Sequence, residues 1–168
     1  MLLAVLIIVF GFTLGFAIFM IDGFFGGLDF TTSKSATNKV AEIIKSYGLE
    51  NSVLYDLGSG RGYFSTTIAR TYPKLKIYGV DDNQFRILFS RARCKFLKNV
   101  NFKKEDIFNT DVSLANIVYL YLPIELMPRL EKKLRAELKS GAIVISNKVS
   151  FPTWQSLQIK QEIFIYRL

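Results

Sequence analysis

Residues 55–62, Tyr-Asp-Leu-Gly-Ser-Gly-Arg-Gly, set an acid, Asp56, two positions ahead of glycines at 58, 60 and 62. Glycine lets the main chain take positive φ and approach a ligand that a Cβ would exclude. The dinucleotide fingerprint G-x-G-x-x-G would need a glycine where the chain has Tyr63, and no G-K-[ST] makes a phosphate loop. A pyrophosphate ligand is disfavoured. Two further acids, Asp81 in Gly-Val-Asp-Asp-Asn and Asp106 in Lys-Glu-Asp-Ile-Phe, can accept hydrogen bonds from ribose hydroxyls and from an exocyclic amine. This set suits a ligand with a nucleoside and a positive charge but no phosphate. S-adenosylmethionine is such a ligand.

These residues need strands to hold them in line. Short apolar runs predict strands near 53–57, 76–81, 100–104, 115–121, 142–147 and 162–168. Between them helical patterns fall near 62–71, 84–97 and 124–139, the last with Pro128 in its first turns and Gly141 after its end. An amphipathic helix with Val40, Ile43, Ile44 and Tyr47 on one face, closed by Gly48, precedes the first strand. The alternation predicts an α/β fold, a Rossmann-like doubly wound, mostly parallel sheet. Asp56, Asp81 and Asp106 then stand at three successive strand ends, where such sheets bind ligands.

Leu2 to Ile21 contains no charge, and at about 1.5 Å per residue it matches a hydrocarbon core of roughly 30 Å. It is expected to be a transmembrane helix retained as an anchor. The division expected is an anchor of residues 1–22, a Gly/Ser/Thr-rich linker of 23–36 and a domain of 37–168. Lys34 and Lys39 follow the span and no basic side chain precedes it, which places the domain on the cytoplasmic side, or the matrix side in a mitochondrion. The net charge of +8 is concentrated between Arg86 and Lys104. The plain reading of that run is a solvated helix face; attraction to a negative membrane surface is the second. With no histidine and Cys94 the single cysteine, imidazole catalysis, disulfides and Cys/His zinc sites are excluded. No metal is expected.

Across 37–168 the sequence resembles the class I, seven-strand methyltransferases. More narrowly it is similar to the membrane-anchored lysine methyltransferases acting on the adenine nucleotide translocase and on the c-ring protein of ATP synthase, with their prokaryotic relatives. The residues carrying this are the apolar N-terminal segment, Phe-Thr-Thr-Ser-Lys before the first helix of the domain, the glycine stretch, Leu-Glu-Lys-Lys-Leu-Arg-Ala-Glu-Leu-Lys-Ser-Gly-Ala-Ile-Val-Ile-Ser, and Phe-Pro-Thr-Trp at 151–154. The resemblance implies that Asp56, Gly58 and Gly60 surround the methionine part of the cofactor, Asp81 the ribose and Asp106 the adenine. Ser59, Gly62, Asp82 and Ile107 complete the expected cofactor set. Arg61 departs from an acidic residue common in relatives, Gln84 from a proline, and the C-terminal part is short for the usual terminal hairpin.

For the acceptor, the resemblance implies a lysine on a protein at or in the membrane. A lysine amine is almost wholly protonated at neutral pH, and desolvation against aromatic walls favours its neutral form. Tyr121 and Trp154, each beside a proline, are the expected walls; Tyr119 reads first as core, and Glu125 is a candidate to take the proton. Amino methyltransferases of nucleic acid carry Asn/Asp-Pro-Pro-aromatic where this chain has Tyr-Leu-Pro-Ile-Glu, so protein is preferred over nucleic acid as acceptor. The alternatives are a small-molecule or lipid methyltransferase at the membrane and a non-catalytic S-adenosylmethionine-binding module.

Overall fold

The computed structural model describes residues 2–25 and 31–168; of the expected linker, residues 26–30 lie outside that range. Helix α1 (Leu2–Phe25) comes first, and its apolar side chains from Leu2 to Met20 are exposed almost throughout. Helix α2 (Lys34–Ser46) follows. It starts three residues ahead of the domain boundary expected at 37 because Ser33 caps it, accepting from Ala36 N at 3.1 Å.

The rest is one seven-stranded sheet in the order β3-β2-β1-β4-β5-β7-β6. Its strands are β1 (Val53–Leu57), β2 (Lys76–Asp81), β3 (Val100–Lys104), β4 (Ile117–Leu120), β5 (Ile143–Asn147), β6 (Gln158–Lys160) and β7 (Ile163–Arg167). The first five are parallel, and β7 runs antiparallel to both β5 and β6. β4 and β5 are buried at every position, as central parallel strands covered on both faces must be. The helices between them are α3 (Tyr63–Thr71), α4 (Gln84–Arg93) and α5 (Met127–Glu137), the last preceded by a 3-10 turn at Ile124–Leu126. Ile44, Ile68 and Ile87 of α2, α3 and α4 fill one core layer; Leu130 and Leu134 of α5 fill the other with Val118 and Val144.

α4 stops at Arg93, short of the expected 97, because the chain turns at Cys94 (Leu97 N to Cys94 O, 2.7 Å) to enter β3. The terminal hairpin, for which the C-terminal part looked too short, is present as β6 and β7. Its turn was hidden because Gln161 and Glu162 take φ of 48° and 64° without glycine or asparagine. A two-residue turn with both φ positive is the type that suits strand twist, at a cost of roughly 1–2 kcal/mol for each non-glycine side chain. Replacing the pair by Asn-Gly is expected to raise stability by about 1–2 kcal/mol in chemical denaturation.

The chain leaves β1 toward β2 on one side and returns to β4 on the other. The ends of β1 and β4 therefore splay apart, and that gap is where open α/β sheets bind ligands.

Candidate cofactor and acceptor site

The glycine stretch forms the turn from β1 into α3. Gly58, Gly60 and Gly62 have φ of 79°, 53° and 73°, all left-handed, which accounts for glycine at alternate positions. The amides of Gly58 and Ser59 donate to Val80 O at 2.8 Å, and Gly60 N donates to Asp81 Oδ2 at 2.9 Å. The loop is thus pinned to the end of β2. A Cβ on Gly58 would lie 2.5 Å from Leu122 Cδ2, so the absence of a side chain keeps the mouth between the β1 and β4 ends open.

Two cavities flank this loop. The larger, about 520 Å³, falls within the roughly 300–1,000 Å³ of small-molecule sites. Gly58, Gly60, Asp81, Asp82, Asp106 and Ile107 all line it. Asp81 is buried, with Oδ1 accepting from Asn83 N at 3.0 Å and Arg86 Nη1 3.9 Å from Oδ2. Asp106 is more open; its Oδ1 accepts from Phe108 N at 2.8 Å. The Arg129 guanidinium lies 3.8 Å from the centroid of the Phe108 ring and closes the far wall.

The smaller cavity, about 70 Å³, is bounded by Asp56, Ser59, Arg61, Tyr119 and Tyr121, with Thr31 and Thr32 across from them. Tyr121 borders both cavities. The Tyr119 hydroxyl is 2.7 Å from Thr32 Oγ1 and its ring stacks on Phe64 at 3.7 Å, so the segment before α2 is fastened to β4. Ser59 Oγ is buried with no hydrogen-bond partner among the described residues, as expected of a group awaiting a ligand. Asp56 and Arg61, both in the lining of the smaller cavity, have the charges to suit the ammonium and carboxylate of an amino acid. The two cavities together fit S-adenosylmethionine, adenosine in the larger and methionine in the smaller.

Burial pushes the Asp56 carboxyl up to about 7, offset by the hydrogen bond from Ser65 Oγ (2.6 Å) and reinforced by the nearby Asp81 charge. Asp81 is also raised, again chiefly by burial. A raised acid in the folded state holds its proton where the unfolded chain has lost it, so its contribution to stability is full below about 3.8 and lost as pH rises through about 7. Binding of a cation beside Asp56 has the opposite sign, because it needs the carboxylate. Affinity for S-adenosylmethionine is expected to climb by up to about tenfold per pH unit between pH 5 and about 7 and then level off. Calorimetry across that range checks it, and Asp56→Asn should flatten the dependence.

Three expected site residues are not brought to these cavities. Gly62 packs against α4 and β3 instead, since a Cβ there would sit 2.7 Å from both Ser90 Cβ and Phe102 Cζ. Trp154 is 9% exposed, clustered with Phe151 and Tyr166 in the core layer under α5. Its segment is turned that way by buried Glu131, which accepts from Thr153 N at 3.0 Å and from the Thr153 hydroxyl. Glu125 is exposed on the 3-10 turn and lines neither cavity. Sequence reasoning missed Thr31, Thr32, Arg86 and Arg129 as lining residues. The Thr-Thr-Ser run before a helix start was the one local signal.

Residues 56–158 match the ANTKMT methyltransferase domain family. A protein-lysine N-methyltransferase of Saccharolobus islandicus is 29% identical over 133 residues, covering 76% of this chain and 80% of that protein. The lysine N-methyltransferase of Mus musculus named for the c-ring protein of ATP synthase is 32% identical over 124 residues, 71% of this chain and 49% of its own length. The chain thus spans about half the length of the vertebrate relatives it matches. Among solved structures, an RNA methyltransferase from Salinibacter ruber in complex with S-adenosyl-L-homocysteine superposes with a TM-score of 0.75 at 26% identity, covering 82% of this chain and 92% of that one.

Proposed function

The chain belongs to the ANTKMT methyltransferase domain family and is an S-adenosylmethionine-dependent methyltransferase, and from that premise we propose that it methylates lysine on a protein at or in a membrane to which it is itself anchored. The observation that carries the acceptor assignment is the place of Tyr121, which lines both cavities. Its face already meets an ammonium, Lys148 Nζ, 5.7 Å from the ring centroid. Aromatic faces attract such cations and also desolvate them, which lowers an amine's pKa and favours the neutral nucleophile.

When bound, S-adenosylmethionine supplies a sulfonium methyl open to in-line displacement. Asp81 and Asp106 would hold its nucleoside, and Asp56, Ser59 and Arg61 its amino-acid end. Tyr121 aligns the acceptor, while Thr32 and Tyr119 close the smaller cavity against water. With no histidine in the chain and Glu125 facing solvent, proton loss by desolvation takes the place of a dedicated base.

The anchor is residues 1–22, and the domain, expected from 37, also takes in α2 from Lys34 and the cavity-lining Thr31 and Thr32; it faces the cytoplasm or the matrix. Support comes from α1, which over Leu2–Met20 is long and apolar enough to cross a membrane and whose side chains find almost no protein partner. An exposed apolar surface of that size needs another phase to cover it. Carbonate extraction should leave the full-length chain in the membrane, and external protease on sealed vesicles should spare the domain. Recovery in the wash, or cleavage from the outer face, contradicts the anchor or its orientation respectively. Intact-mass analysis of membrane proteins with and without the gene should show one to three methyl groups gained.

A further inference from the structure

The exposed side of α4 and the turn after it has no role in the site. Phe85, Leu88 and Phe96 are 45%, 62% and 91% exposed there. Within α4, Phe85, Leu88 and Ala92 follow the three-to-four spacing of one exposed face, opposite buried Ile87 and Ser90. Arg86, Arg91, Arg93, Lys95 and Lys98 all fall in 84–98, which contains no acidic residue. Arg86, Arg91 and Arg93 turn inward to Asp81, Phe102 O and Arg61 O, which leaves an exposed apolar helix face followed by exposed Lys95 and Lys98, a combination suited to a lipid surface.

Position favours the same partner. The Arg61 guanidinium lies 4.7 Å from the centroid of the Phe19 ring, near the end of the apolar span of α1. Arg93 of α4 donates from Nε to Arg61 O at 3.1 Å and stacks on Tyr63 at 3.6 Å. The last turn of α4 is therefore one residue removed from the anchor.

We propose that Phe85, Leu88, Lys95, Phe96 and Lys98 form a docking surface for the anionic lipid headgroups of the bilayer that α1 enters. The proposal rests on the anchored reading above and adds a second, reversible contact. Docking there fixes the domain's orientation, holding the glycine-loop mouth beside Arg61 close to the bilayer, where a membrane-embedded acceptor would be.

The test uses the full chain with Cys94→Ala, carrying one nitroxide-labelled cysteine at Phe96, Leu88, Leu6 of the anchor, or Leu114. Leu114 is a control, 69% exposed before β4 at the opposite ends of the strands. Collision with oxygen and with a nickel chelate reports depth in phosphatidylcholine vesicles with and without phosphatidylglycerol. Labels at 96 and 88 are expected at headgroup depth only with the anionic lipid, leaving it in high salt, while the label at 6 stays in the core and that at 114 in water. Lys95→Gln with Lys98→Gln should lower the docked-to-free ratio about thirtyfold without moving the anchor label. An anchor label in the core with 96 and 88 in water overturns the docking surface and leaves the anchor standing; an anchor label in water overturns both. Shielding of 96 that requires added RNA or acidic peptide, and not lipid, also overturns it.

Discussion

Asp81→Ala is expected to weaken S-adenosylmethionine binding about 100-fold or more, with the fold retained. Asp81 is buried, one oxygen holding the Gly60 amide and the other the Asn83 amide, and it borders the larger cavity. The substitution removes a charge-assisted acceptor for the ribose and unpins the glycine loop, each a loss of about 1.5–3 kcal/mol. Asp81→Asn keeps one acceptor oxygen and should lose less. Calorimetry on the full chain in nanodiscs, with the cofactor and its demethylated product, gives the numbers, and melting curves report the fold. A well-folded Ala variant binding within threefold of the parent would remove Asp81 from the site.

Tyr121→Ala is expected to act on the other substrate. Loss of the ring removes a cation–π contact worth up to about 2 kcal/mol together with the desolvation it provides, so methyl transfer should fall about 30-fold or more in kcat/KM for the acceptor. Cofactor affinity should change only a few-fold, and Tyr121→Phe, which keeps the ring, should retain most of the activity. A loss of cofactor affinity equal to the loss in rate would assign Tyr121 to the nucleoside instead.

What could be read ahead of the structure follows from how local each signal is. Asp56, Asp81 and Asp106 could be placed because an apolar run ending in an acid names both a strand and its end, and parallel order then gathers those ends. Gly58 and Gly62 look alike in sequence, yet one faces Leu122 at the cavity mouth and the other faces Ser90 of α4. Only the crossing of α4 over the start of α3 separates them. Trp154 was misplaced for a similar reason. An aromatic after a proline beyond a strand reads the same whether it lines a channel or fills a core, and here the choice is made by Glu131, 22 residues before Thr153 in the chain. The β6–β7 hairpin escaped because Gln161 and Glu162 take left-handed φ without the residues that announce it. Thr32 reaches the site through Tyr119, 87 residues away, a separation no local pattern spans.

Lysine transfer at the membrane is tested most directly by incubating the full-length protein in its own membranes with donor carrying a radiolabelled methyl group. Protein, lipid and RNA are then separated and the protein hydrolysed to amino acids. The label is expected in the protein fraction as methylated lysine, lost with Tyr121→Ala. Label confined to lipid or RNA, or found on arginine, would contradict the lysine assignment while leaving the fold and the cofactor in place.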